Sequence, residues 1–215
     1  GSLGALTINE SIINNLDYFV KNNIQLIWQT GKWFFEKAKE RVSQINSGNI
    51  KVYEFIYEME QAYSLANVII SRAGAIAISE LCIVGKPCIL VPSPNVSEDH
   101  QTKNANALVS KSAAIMVKDI ESREKLIGEL DRLINNEALR QEMSENITKL
   151  GISGLQPPCR FVAEASVALL PAVRRYHGGH DKTTTTKFLV DLLSDQPISY
   201  IIGDGTGRGN KENIY

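Results

Sequence analysis

Cysteine is scarce in these 215 residues, and neither sign of charge is in excess. The three cysteines (Cys82, Cys88, Cys159) form neither an even disulfide set nor a close metal-ligand pair, so a reducing, cytoplasmic setting is expected. Lys and Arg total 23 against 24 Asp and Glu, a formal net charge of -1. No global field gathers nucleic acid, and an anionic ligand has to be held by local geometry. No apolar run approaches the roughly 18 to 20 residues of a membrane span. The opening GSLGALTINE has no signal-peptide pattern. Hydrophobic residues at 43% and charged residues at 22% exclude a disordered acidic or basic chain. The length suffices for one sizeable core, or for a medium domain with an appendage.

Short apolar runs alternate with helix-period segments. IQLIW (24–28), KVYEF (51–55), NVIIS (67–71), PCILV (87–91) and AAIMV (113–117) read as strands. They are continuously apolar rather than alternating, the pattern of strands covered on both faces. Ile8, Ile12, Leu16 and Phe19 mark one helical face, and Ile76, Leu81 and Val84 part of another. Strand and helix in strict alternation predict an α/β fold with a parallel, doubly wound, Rossmann-like sheet. Residues 121–150 turn charged and helical, with Leu126, Leu130, Leu133 and Ile134 at helix spacing. GISGLQPP (151–158) interrupts the pattern, and one more helix is predicted over 161–170. Residues 1–170 therefore read as one domain. Residues 171–215, with a strand-like ISYII and a glycine-rich GDGTGRGN, are too few for a core of their own. They must dock on the first domain or stay partly disordered.

Three places have the residues to carry chemistry. Gly1-Ser2-Leu3-Gly4-Ala5 leads into a helix whose start is marked by Thr7 and Glu10 at capping-box spacing. A glycine-rich turn at a helix N-terminus suits a phosphate; the alternative is a plain cap behind a Gly-Ser cloning scar. The strand that should precede such a loop is absent, so the chain is expected to begin inside a longer protein. The second place is SRAGAIAISELCIVGKP (71–87), which follows a buried-type strand and opens a helix through Gly74. Arg72 at the strand's end can meet phosphate or ribose. Glu80, about one and a half turns into the helix, can accept two hydrogen bonds from a vicinal diol. A surface ion pair and a solvated glutamate remain the alternative. The third is PSPNVSEDHQTKNANAL (92–108), where Glu98, Asp99, His100, Gln101 and Asn104 crowd a loop able to read sugar hydroxyls. His100 is not assigned proton transfer.

Together GSLGA, WQTGK (28–32), AYSLAN followed by VIISRAGAIAISELCIVGKPCILVPSP, and EDHQTKNA resemble the C-terminal half of the MurG family. These bacterial transferases add N-acetylglucosamine to lipid-linked muramyl-pentapeptide. The resemblance runs over residues 1–170, with several motifs in family order. It implies a GT-B glycosyltransferase whose C-terminal domain binds UDP-N-acetylglucosamine, acting at the cytoplasmic membrane face. By that resemblance Ser2, Gly4 and the loop amides face the diphosphate. Phe55 and Ile56, with Met59 close by, match the stretch that holds uracil; read from the residues alone, these three are simple core packing. Arg72 and Gly74 line the nucleotide, Glu80 binds the ribose hydroxyls, His100 and Gln101 meet the donor sugar, and Asn104 supports their loop. The acceptor surface and the base belong by analogy to an N-terminal half that this sequence lacks, so no catalytic residue is assigned. The chain also has no Asp-x-Asp motif, which accords with charge stabilisation by protein groups and no required metal or cofactor.

The tail resembles something else. HGGHDKTTTT is similar to the ATP-binding loop of Mur ligases, and ISYIIGDGTGRGN to the segment that follows it in UDP-N-acetylmuramate–alanine ligases. His177, Gly178, His180, Lys182 and Thr183 match. Asp181 stands where that family has a glycine, and its carboxylate repels phosphate and crowds the backbone approach, so ATP binding is not expected. Three readings follow: the donor half of an inverting glycosyltransferase, inactive alone; a UDP-sugar-binding module without catalysis; and, last, an ATP-dependent ligase fragment. Fusion, chimera and rearranged reading frame are not separable on sequence.

Overall fold

A computed structural model describes residues 5–45, 47–94, 100–152 and 200–203. In chain order the elements are α1 (Leu6–Ile13), α2 (Leu16–Lys21), β1 (Leu26–Gln29), α3 (Lys32–Ile45), β2 (Ile50–Tyr53), α4 (Met59–Leu65) and β3 (Val68–Ser71). There follow α5 (Ala75–Val84), β4 (Cys88–Leu90), α6 (His100–Val109), β5 (Ile115–Met116) and a 3₁₀ turn (Asp119–Glu121). The last are α7 (Ser122–Ile134), α8 (Glu137–Ile152) and β6 (Tyr200–Gly203). All strand pairings are parallel, and the sheet order is β2-β1-β6-β3-β4-β5. This is the doubly wound arrangement that the strand–helix alternation predicts.

Continuous apolar strands divide their side chains between two cores, because successive residues point to opposite faces. Leu26, Trp28, Val68, Ile70, Ile89 and Val91 face α1, α2, α3 and α7. Ile27, Ile69, Cys88 and Leu90 face α4, α5, α6 and part of α8. Both layers are dry: Trp28, Phe19, Ile69, Ile89 and Leu81 lie among the largest fully buried side chains, each worth about 1.5–3 kcal/mol of burial. Cys82 and Cys88 are buried free thiols, and burial pushes the Cys88 thiol well above its ordinary range.

Several local expectations change. Thr7 does not cap α1; it lies inside the helix behind Ala5, and its hydroxyl donates to Asp119, while Glu10 pairs with Arg123. Ile8, Ile12, Leu16 and Phe19 are all buried, but on two helices broken at Asn14–Asn15. In α5 the buried residues are Ala77, Ile78, Leu81 and Cys82, whereas Ile76 is 40% exposed. Nearly every residue of that helix is apolar, so its sequence carries no phase to say which side faces the sheet. The charged stretch splits into α7 and α8, joined where Asn136 accepts the Leu139 amide. Gly85 ends α5 at φ 68°, a left-handed cap that glycine adopts without steric cost. Gly151 lets α8 approach α5 closely: a Cβ there would sit 2.4 Å from the carbonyl oxygen of Cys82. The helix predicted over 161–170 lies outside the described residues. Of the tail, β6 is described, and it runs through the middle of the sheet rather than along its side.

Candidate functional site

In a parallel sheet every strand ends on the same edge, and the loops leaving that edge gather the residues that recognise ligands. Here β3 ends at Ser71 and passes through Arg72, Ala73 and Gly74 into α5. Gly74 has φ -64°, open to any residue, and a Cβ on it would meet nothing within 4 Å. The fold does not need glycine there; its absence of a side chain leaves the approach to the helix open. No side chain caps the first amides of α5, and its first turn has no acidic residue. Such a helix end attracts an anion.

Arg72 is held rather than free. Its side chain is 12% exposed; the guanidinium donates to the carbonyls of Val91 (3.1 Å) and Pro92 (3.3 Å) and to the Thr7 hydroxyl (3.1 Å), and it ion-pairs with Asp119. Thr7 in turn donates to the same Asp119 oxygen. One side chain thus ties the ends of β3 and β4, the first turn of α1 and the 3₁₀ turn after β5. The expectation of a guanidinium lining a nucleotide is modified accordingly: most of its charge is already neutralised, and its first task is to fix this corner.

Glu80 is half-buried on α5 and accepts a hydrogen bond from the Tyr63 hydroxyl at 3.2 Å. Burial raises its carboxyl above the usual value, and the Tyr63 bond partly offsets this. Glu80 is not paired with Arg72, whose ion pair is with Asp119. A carboxylate kept partly dry at a ligand edge gains most from donors brought by a diol.

The stretch expected as a loop over 92–108 is helical from His100 onward, and two residues of that helix bond back to other segments. Gln101 accepts the Ser93 amide through Oε1 at 2.8 Å, and Asn104 donates to the carbonyl of Ala73 at 3.1 Å. Asn104 therefore joins α6 to the β3–α5 corner. His100 opens α6 and is exposed.

Beyond β2, Ile56 is buried and its amide donates to Oε1 of the buried Gln29 at 2.8 Å. Its side chain and N–H are therefore spent on the fold. Met59 packs half-buried against the second core, and Phe55 stands half-exposed, edge-on to Tyr57 at 5.1 Å between ring centroids. Ile56 and Met59 are core contacts, and Phe55 is the member of the three with a ring left toward the edge. Ser2, Gly4, Gly178, His180, Lys182 and Thr183 lie outside the described residues.

Sequence reasoning missed Gln29, Tyr63 and Asp119 and read Thr7 only as a cap; the four hold Arg72, Ile56 and Glu80. A charged residue just past a buried strand, as in the KDIE after AAIMV, was the available signal for Asp119; its partner 47 positions earlier was not readable. The same edge carries exposed apolar side chains at the head of successive elements: Leu6 at 53%, Trp33 at 76%, Tyr57 at 80%, Ile76 at 40% and Ile120 at 82%. Among the described residues no helix is long and apolar enough to cross a membrane, and no group of three or more His, Cys, Asp or Glu could hold a metal ion.

A doubly wound parallel sheet with an uncapped helix entry and a half-buried carboxylate near one edge defines a Rossmann-like architecture. The chain belongs to the family of the glycosyltransferase family 28 C-terminal domain, whose model matches residues 1–154. It is 56% identical over 147 residues to the UDP-N-acetylglucosamine–N-acetylmuramyl-(pentapeptide) pyrophosphoryl-undecaprenol N-acetylglucosamine transferase of Cytophaga hutchinsonii, covering 68% of this chain and 39% of that protein. It is 46% identical over 174 residues to the transferase of the same name from Bacteroides thetaiotaomicron, covering 80% and 46%. Among solved structures it is similar to the crystal structure of Acinetobacter baumannii MurG, with a TM-score of 0.56 at 30% identity over 69% of this chain and 43% of that one. The fold is thus that of a GT-B C-terminal domain. The chain spans less than half the length of the curated relatives it matches.

Proposed function

We propose that this chain is the nucleotide-sugar-binding half of a peptidoglycan N-acetylglucosaminyl transferase, that it takes UDP-N-acetylglucosamine, and that it needs a second, acceptor-binding half to turn over. The observation that carries the reading is Glu80: a partly dried carboxylate, oriented by Tyr63, one and a half turns beyond the open, uncapped start of α5. In the motif shared with the family, this residue takes the ribose hydroxyls, and the α5 entry stands where departing diphosphate charge is stabilised. Arg72, fixed by Asp119, holds the β3 and β4 loops in place for that ligand. Gln101 and Asn104 hold the loop beside the donor sugar, and Phe55 flanks the base. The exposed apolar side chains along the same edge suit a face that another domain covers. Neither cofactor nor metal enters this reading, and its setting is the cytoplasmic face of the membrane.

Titration calorimetry with UDP-N-acetylglucosamine tests it. The parent chain binds, and Glu80→Ala weakens binding by about 10- to 150-fold, the cost of losing a charged hydrogen-bond acceptor. Unchanged affinity refutes the ribose assignment, and no binding by the parent refutes the reading. In a radiolabel assay with a lipid-linked acceptor analogue the isolated chain transfers no sugar; clear turnover would show that the acceptor half is not required.

A further inference from the structure

The carboxylate of Glu80 has no polar company on its own helix. The residues three and four places away along α5, which share its side of the helix, are Ile76, Ala77, Ile83 and Val84, all apolar. Arg72, the cation of the same motif, is committed to Asp119. Among the described residues, the hydrogen-bond donor to Glu80 is the Tyr63 hydroxyl on α4, 3.2 Å from Oε2.

That donor is itself fixed. Tyr63 is 9% exposed and belongs to the second core, with Ile56, Ala62 and Leu81. A ring held in a close-packed core has its hydroxyl held with it. The last torsion of a glutamate is broad when left alone, so a bond from a fixed donor to one oxygen selects its orientation. A carboxylate has about four acceptor sites. Tyr63 takes one on Oε2, and the others stay open to incoming hydroxyls. Burial disfavours the charged form of Glu80 and the Tyr63 bond favours it, so the hydroxyl also supports the form that accepts two donors. Met59 lies one turn before Tyr63 on α4. The same short helix therefore carries a residue of the stretch matched to the base and the partner of the carboxylate matched to the ribose.

We propose that Tyr63 is a positioning residue for ribose recognition: its hydroxyl holds Oε2 of Glu80 so that the carboxylate meets a vicinal diol already aimed. This rests on the ribose assignment of Glu80 made above, and it adds that selectivity for a diol is shared between α4 and α5. Tyr63 acts through Glu80 and needs no contact with the ligand.

Titration calorimetry of the full chain with UDP and with its 2′,3′-dideoxy analogue tests this. The parent is expected to prefer UDP by about 10- to 150-fold. Tyr63→Phe keeps the buried ring and removes only the hydroxyl. It is expected to weaken UDP by about 3- to 30-fold, part of the worth of a hydrogen bond to a charged group. The dideoxy analogue, which brings Glu80 no hydroxyls, is expected to stay within about twofold. In a Glu80→Ala background the same substitution is expected to change UDP affinity by less than about twofold, because its effect passes through the carboxylate. Equal losses for the two ligands, which a purely structural role would give, overturn the proposal, and so does an undiminished loss in the Glu80→Ala background. A preference for UDP that Glu80→Ala removes and Tyr63→Phe keeps overturns the proposal and leaves the ribose assignment standing. A parent without preference overturns both. Should Tyr63→Phe not fold, proton NMR of the UDP-bound parent decides: a slowly exchanging Tyr63 hydroxyl proton supports the proposal, and one that exchanges freely with water overturns it.

Discussion

Replacing Asp119 by alanine tests how the carboxyl edge is held together. The Arg72–Asp119 pair is 12% and 13% exposed, so it is nearly dry. Breaking a buried pair by removing one partner costs about 3–5 kcal/mol, because the remaining charge stays buried without its counter-ion. Arg72 would keep the Val91 and Pro92 carbonyls and the Thr7 hydroxyl, and those contacts return a part of the loss. The expected cost is therefore about 2–4 kcal/mol, a fall in Tm of about 5–15 °C for a chain of this size. The assay is urea and thermal unfolding by circular dichroism of the parent, Asp119→Ala, Arg72→Met and the double variant. The double variant is expected to be more stable than Asp119→Ala alone, since it leaves no buried charge behind. Salt should change the single-variant loss little, because the pair is shielded from solvent ions. A cost below about 0.5 kcal/mol for Asp119→Ala, or strictly additive losses in the cycle, would refute the view that this pair anchors the edge.

Glu80 gives a pH prediction. Its carboxyl is raised in the fold by burial, so the native state holds this proton more tightly than the unfolded chain does. The stability this contributes is complete below the ordinary glutamate value and is lost as pH rises through the raised one. Glu80→Gln, which keeps the Tyr63 bond and has no charge to bury, should therefore raise Tm at about pH 7.5 and make no difference near pH 4; a loss of Tm at neutral pH would contradict this account. Two glycines give a steric contrast. Gly151→Ala places a Cβ 2.4 Å from the Cys82 carbonyl oxygen and should cost about 1–3 kcal/mol in urea unfolding. Gly128→Ala, in α7 with nothing within 4 Å of its Cβ, should be neutral or stabilising by up to about 1 kcal/mol. Equal effects at the two positions would disprove the close α5–α8 approach.

Much of the architecture was legible because buried parallel strands leave a strong mark. Runs such as VIIS and CILV are apolar on both faces and bounded by polar turns, and they fall within a residue or two of β3 and β4. The stretch 92–108 read as a polar loop, but it is helical from His100 onward, and the bonds from Gln101 to the Ser93 amide and from Asn104 to the Ala73 carbonyl were not legible because their partners lie on other segments. Ile56 is a similar case. The composition of FIYEM allowed core or ligand, and only the bond from its amide to Gln29 assigns its N–H to the fold.

The sequence by itself determined the alternation of strands and helices and the family likeness, because these follow from residues close together in the chain. Tertiary structure alone decided the rest. It paired Arg72 with Asp119 and Glu80 with Tyr63, and it set residues 200–203 between β1 and β3. Each of those contacts joins positions well separated along the chain, and local propensity has no reach over such distances; only the closing of the dry core makes the partners meet.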